Sequence, residues 1–264
     1  MIELLQFPFI QRALIGGSII ALLLGWMGVY VTSKQMSFVG EGVAHASLAA
    51  IALALLLGIP PLPTAIIFSI FLGMVMFYVE KKSTVSRDTA IGIVFSFGVA
   101  IGIILLQFYD GYVPELMSFL FGNILTVSTL DLGIMAGVTA MVGMLLYIYR
   151  RQFLFSTVDP EGAYLSGIHR DFFELLMYVI TAVSVVVSVK MIGIVLVTAL
   201  LVIPAAIMRS FSRSFRSFVV GTMICSFLIV ELGLFLSFFL DWPSGATIVC
   251  VGSLIFLLTR FIKK

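Results

Sequence analysis

The chain has 264 residues, of which 61% are hydrophobic and 11% charged, and its mean hydropathy is +1.22. Soluble domains carry about 45–50% apolar and roughly 25% charged residues, so this composition excludes an ordinary water-soluble enzyme and describes an integral membrane protein. The 15 Lys and Arg barely exceed the 13 Asp and Glu, for a formal net charge of +2, which argues against nucleic acid as a partner.

A helix needs about 20 apolar residues to cross a hydrocarbon core about 30 Å thick, and only helices or closed barrels satisfy every backbone group in lipid. The apolar runs are longer than the roughly ten-residue alternating segments of barrel strands. An all-α, polytopic bundle of about nine spans follows, with eight to ten as the bounds. In chain order the spans are expected near residues 13–32, 38–58, 62–80, 89–108, 131–149, 171–189, 191–208, 217–239 and 245–262. The stretch 114–130 is open to two readings, a short re-entrant helix or a further, poorly apolar crossing. The membrane part reads as one domain over 1–264, and no removable signal peptide is expected.

The breaks between spans carry the charge. Lys34, Lys81, Lys82, Arg87, Arg150, Arg151, Arg170, Arg209, Arg213, Arg216, Arg260, Lys263 and Lys264 fall on one side if 114–130 does not cross. Asp110, Glu115, Asp131 and Asp241 fall on the other, with Lys190 as the lone lysine of its inter-helix loops. The positive-inside rule then puts the amino terminus outside and the carboxyl terminus inside. Glycines within spans, including Gly16, Gly17, Gly25, Gly28, Gly92, Gly98 and Gly102, suit close helix packing. Cys225 and Cys250 lie in apolar stretches without metal-ligand spacing and are expected to be small buried residues. His169, between Ile168 and Arg170, reads as a solvated loop histidine.

An ionisable residue at mid-helix in lipid costs about 2.5–3.5 kcal/mol on insertion, so each one within a span is a functional candidate. Three stand out: Glu41, His45 and Glu231. Glu41 and His45 are spaced i, i+4, which places them on one helix face with Cβ atoms about 5–6 Å apart. A carboxylate and an imidazole at that distance can share a divalent ion such as zinc, manganese or iron. The plainer alternatives are a satisfied polar contact or cap for the pair, and a hydrogen bond to a neighbouring helix for Glu231. No phosphate-binding Gly-x-x-x-x-Gly-Lys-[Ser/Thr] loop is present, since the only Lys followed by Ser or Thr is Lys82, preceded by Lys81. The chain is therefore not an ATPase of that type, and no hydrolase motif marks it as an intramembrane enzyme.

Several stretches, in order over nearly the whole chain, resemble the membrane permease of bacterial ABC importers for zinc, manganese or iron, the ABC-3 metal-permease family. They are Phe9 to Leu14, Ser37 to His45, Leu120 to Leu125, Val158 to Ala163 followed by Gly167, Gly193 to Ala206, Gly233 to Ser237, and Pro243 to Ala246. The resemblance implies a type II importer fold, a homodimer, separate ATPase subunits that bind ATP, and an extracytoplasmic metal-binding protein. The metal would be the transported substrate in the cytoplasmic membrane, with no resident cofactor.

It also implies that the gating carboxylate and histidine fall on Glu41 and His45, with Glu in place of the more usual Asp, and that Glu231 resembles the carboxylate completing the gate. Ala49-Ala50 replaces the usual Pro-Gly after the histidine. Two cytoplasmic segments, about 150–170 and 205–216, would face the ATPase. The first includes Asp159, Glu161, Ala163 and Gly167, with Asp159 capping a short helix that has Pro160 at its first position. The second includes Arg209, Arg213 and Arg216, spaced as one face of a short helix. The competing reading is an autonomous ion-coupled secondary transporter.

Overall fold

The computed structural model describes residues 8–82, 84, 86–109, 128–158 and 160–262. The expectations for 114–127, including Leu120 to Leu125, lie outside the described residues, as does Asp159. Among the described residues the chain is helical without strands. The helices are α1 (Pro8–Ser33), α2 (Val39–Ala46), α3 (Leu48–Leu57), α4 (Pro61–Lys82), α5 (Arg87–Leu106), α6 (Thr129–Ile148), α7 (Arg150–Val158), α8 (Pro160–Leu165), α9 (Arg170–Arg209), α10 (Phe215–Leu240) and α11 (Ser244–Ile262).

Local chemistry sets several helix ends. The Ser86 side chain caps α5 by accepting from the Thr89 N–H at 3.3 Å, and Ser214 caps α10 through the Ser217 N–H at 3.2 Å. Gly58 ends α3 in the left-handed conformation at φ 65°, and Pro60 and Pro61 follow. The span expected over 38–58 is interrupted at Ser47, between α2 and α3. The Ser47 hydroxyl bonds the Ala44 carbonyl at 2.6 Å, a local competition that bends helices, while the backbone bonds from Ser47 N–H to Val43 and from Ile51 N–H to Ser47 continue across it, so 39–57 remains one span.

Eight helices among the described residues are long and apolar enough to cross a membrane. One of them, α9, has 40 residues, about 60 Å at helical rise and so roughly twice the hydrocarbon thickness. It breaks at Gly193, where φ is 76° and ψ 167°. Gly16 of α1 faces Met191, just before the break, and Gly28 faces Leu201 beyond it. The boundary between the spans expected over 171–189 and 191–208 therefore falls at residue 193 rather than 190.

Contacts divide the chain into two compact units, one of residues 1–32, 117–139 and 188–264, the other of 33–116 and 140–187. Each draws on separated stretches of chain, so neither is a contiguous domain. In the first unit Gly25 abuts Ser226, and Gly233 lets α10 meet the Ile248 backbone of α11. Lys190 pairs with Asp131. In the second, Gly98 and Gly102, one turn apart on α5, meet Ala46 and Ala49, as small residues at helix interfaces do. Gly92 meets nothing within 4 Å; it lines a cavity instead.

A Cβ on Gly98 would sit 2.9 Å from the Ala46 Cα. Gly98→Val should therefore cost about 1–3 kcal/mol through overpacking, read as a lower melting temperature in detergent. Gly137→Ala, with nothing within 4 Å of the added methyl, should be neutral or stabilise by up to about 1 kcal/mol. Equal melting temperatures for the two variants would contradict this close approach.

Both cysteines are free, but Cys225 is half-exposed and Cys250 exposed, which corrects the expectation of burial. A small apolar side chain is as much at home against lipid as inside a bundle.

Candidate functional site

The short helix α2 belongs to the second unit and buries Val39, Gly40, Gly42, Val43, Ala44 and Ala46. The two residues it leaves open are Glu41, exposed, and His45, partly so. They share one face, as the i, i+4 spacing requires. The acid stands in the first turn of α2 and the histidine in the last. His45 rests edge-on against Phe95 of α5, ring centroids 5.3 Å apart at 81°, which orients the imidazole.

Glu41 opens onto a cavity of about 410 Å³ that Phe38, Asp88, Thr89 and Phe95 also line. Asp88 was not among the candidates singled out from the sequence. Its place in the first turn of α5, beside α2, brings a second carboxylate to the cavity.

Glu231 lies on α10 in the first unit and is half-buried. It accepts a hydrogen bond from the Ser18 hydroxyl of α1 at 2.8 Å. Among the described residues no three His, Cys, Asp or Glu side chains are grouped to hold one ion.

In the segment 150–170, α8 begins at Pro160, as expected, and contains Glu161; Ala163 is fully buried. Gly167, at φ 71°, ends the helix: the Ile168 N–H reaches back to the Ala163 carbonyl at 3.0 Å, the pattern of a Schellman cap that needs a left-handed residue. His169 is exposed.

Arg209, Arg213 and Arg216 are exposed too, but not as one helix face. Arg209 ends α9, Arg213 sits in the intervening turn, and Arg216 belongs to the first turn of α10. The Ser214 cap starts a new helix there, which is why helical spacing fails across the segment.

The second unit also holds an ion network whose cations the sequence reading scattered among loops. Lys34 Nζ lies 3.2 Å from Glu174 Oε1, which Arg87 Nη2 also approaches at 3.2 Å. Arg170 Nε lies 3.6 Å from the other oxygen, and Arg87 Nε lies 2.5 Å from Glu80. Glu80 in turn accepts from the Tyr178 hydroxyl. The side chains of Lys34 and Glu174 are only 5% and 10% exposed. Burial holds the Lys34 ammonium below the usual lysine range, and the Glu174 carboxylate opposes that shift.

Residues 6–263 match the ABC 3 transport family. A manganese import system permease protein, ScaB of Streptococcus gordonii, is 32% identical over 97% of this chain and 92% of its own length. A high-affinity zinc uptake system membrane protein, ZnuB of Haemophilus influenzae, is 31% identical over 98% of this chain and 99% of its own length. A solved structure described as PsaBC from Streptococcus pneumoniae in complex with Fab superposes with a TM-score of 0.87 at 31% identity, covering 99% of this chain and 94% of that one. With eight helices among its described residues long and apolar enough to cross a membrane, its open Glu41–His45 face and this match along almost its full length, the chain belongs to the ABC 3 transport family and is a multi-pass permease of the cytoplasmic membrane.

Proposed function

We propose that this permease carries a divalent transition metal, manganese or zinc, into the cell past Glu41, His45 and Glu231. Two copies would form the pathway, an extracytoplasmic binding protein would deliver the ion, and separate ATPase subunits would drive the exchange between outward- and inward-facing states. The observation that carries the proposal is the α2 face. A helix that buries its other residues leaves a carboxylate and an imidazole uncovered within a span, where ionisable groups are costly unless they are used. The mixed oxygen and nitrogen donors suit manganese, zinc and iron alike, and the relatives named above support manganese and zinc. Glu in place of Asp reaches one methylene further, a difference that bears on the choice of ion.

On this reading the Asp159 to Gly167 segment and Arg209, Arg213 and Arg216 meet the ATPase, the arginines as an exposed basic turn rather than a helix face.

The test is radiolabelled manganese and zinc uptake into proteoliposomes. Uptake is expected only when the ATPase subunits and ATP are present. Uptake by this chain alone, without ATP, would reject the proposal in favour of a secondary transporter.

A further inference from the structure

The network around Glu174 borders two cavities, and their charge balance differs. One, of about 240 Å³, is lined by Lys81, Arg87 and Arg170 against Glu80, Asp171 and Glu174, three cations facing three carboxylates. The other, of about 210 Å³, has Lys34, Arg87 and Arg170 on its wall with Glu174 as the one carboxylate. Even with Glu80 counted for its contact with Arg87, the cations there stay one ahead.

The same wall carries Ser156 of α7. This residue is 4% exposed, and its hydroxyl has no hydrogen-bond partner in the protein. A buried polar group left unsatisfied costs about 1–3 kcal/mol. Water would satisfy the hydroxyl but would leave the excess positive charge in place. An anion with several acceptor oxygens answers both needs at once. The volume is below the about 300–1,000 Å³ of drug-sized ligand pockets, which suits a single small anionic group. The cavity lies at the end of the unit where basic residues gather, the cytoplasmic end by the positive-inside rule. Basic pockets between spanning helices on that side are known to take lipid headgroups.

We infer that the cavity between Lys34, Arg87, Arg170 and Ser156 binds a phosphate group, carried either by an anionic phospholipid headgroup or by free phosphate. Arg170 and Lys34 would turn toward the phosphate oxygens without leaving Glu174 unpaired, since Arg87 bridges Glu174 and Glu80. Ser156 would donate its hydroxyl proton to the same oxygens. This site is separate from the metal path and stands or falls independently of it.

The test uses the full-length permease with two probes. In neutral detergent, its melting temperature is followed against inorganic phosphate, with chloride at equal ionic strength as control. In nanodiscs made from an equal mixture of phosphatidylglycerol and phosphatidylcholine, the lipid retained on release is identified by native mass spectrometry. Selective retention of phosphatidylglycerol assigns the phosphate to a headgroup. Phosphate-specific stabilisation without lipid selectivity assigns it to the free ion.

In both arms Arg170→Gln and Ser156→Ala should weaken binding about ten- to hundredfold, the range for a lost charge-assisted hydrogen bond. Arg170 is 46% exposed and Ser156→Ala removes only the hydroxyl oxygen, so both variants are expected to fold. No response to either probe in the wild type, or wild-type binding of both probes by both variants, overturns the inference.

Discussion

Alanine at both Glu41 and His45 is expected to abolish manganese and zinc uptake while the permease still assembles with its ATPase. The two side chains are the open ones on a helix whose buried face is made by Val39, Gly40, Gly42, Val43, Ala44 and Ala46. Their removal therefore takes little from the fold, within about 0.5 kcal/mol for substitutions away from packed sites. The loss of uptake should exceed the about 10–100-fold typical of mutating mere outer-shell partners of a metal, because both proposed donors go at once.

Glu41→Asp keeps the charge and should retain uptake with an altered preference between manganese and zinc. Glu231→Gln keeps the size and the Ser18 contact but removes the charge, and should fall between wild type and the double variant. Full uptake by the double alanine variant, measured as transported metal per assembled complex, removes Glu41 and His45 from the path.

Glu174→Ala is expected to be the most destabilising single change in the ion network. It leaves Lys34, whose side chain is 5% exposed, buried without its carboxylate, and breaking a buried pair from one side costs about 3–5 kcal/mol. At about 2–4 °C per kcal/mol for a chain of this size, the melting temperature in detergent should drop by roughly 10 °C. Replacing both partners, Lys34→Met with Glu174→Leu, should recover much of that loss, since apolar groups of similar volume carry no desolvation penalty. Lys81→Ala offers the contrast: its pair with Asp171 is 48% and 64% exposed, and such surface pairs contribute about 0–1 kcal/mol. A melting temperature for Glu174→Ala within a few degrees of wild type would contradict the buried pairing.

Much of this architecture was legible before any coordinates. Hydropathy located the crossings because lipid demands about 20 apolar residues per helix whatever the helix packs against. Residues 171–208 were read as two spans for the same reason, although helical geometry continues through 190 and turns only at Gly193. Pro160 at the start of α8 and Gly167 just past its end follow from backbone preferences that act within one turn. The Glu41–His45 face was legible because helical periodicity alone brings i and i+4 together. Helical spacing misled only where it was extended across a cap: Ser214 starts a new helix between Arg209 and Arg216.

What local sequence decides here is whatever depends on a few neighbouring residues or on the solvent the chain meets: the membrane, the places of the apolar spans, the candidate ligands and the helix ends. Pairings across long separations belong to the tertiary structure. Lys34 and Glu174 lie 140 positions apart, Ser18 and Glu231 lie 213 apart, and only close approach of helices brings them together. The same holds for burial. Lys34 follows α1 and Arg87 opens α5, and both looked like topological anchors, yet Lys34 alone is buried to a few per cent, because α9 brings Glu174 over it. Whether a scarce charge faces water, lipid, a partner or another charge is set by what packs around it, and that is decided by the fold.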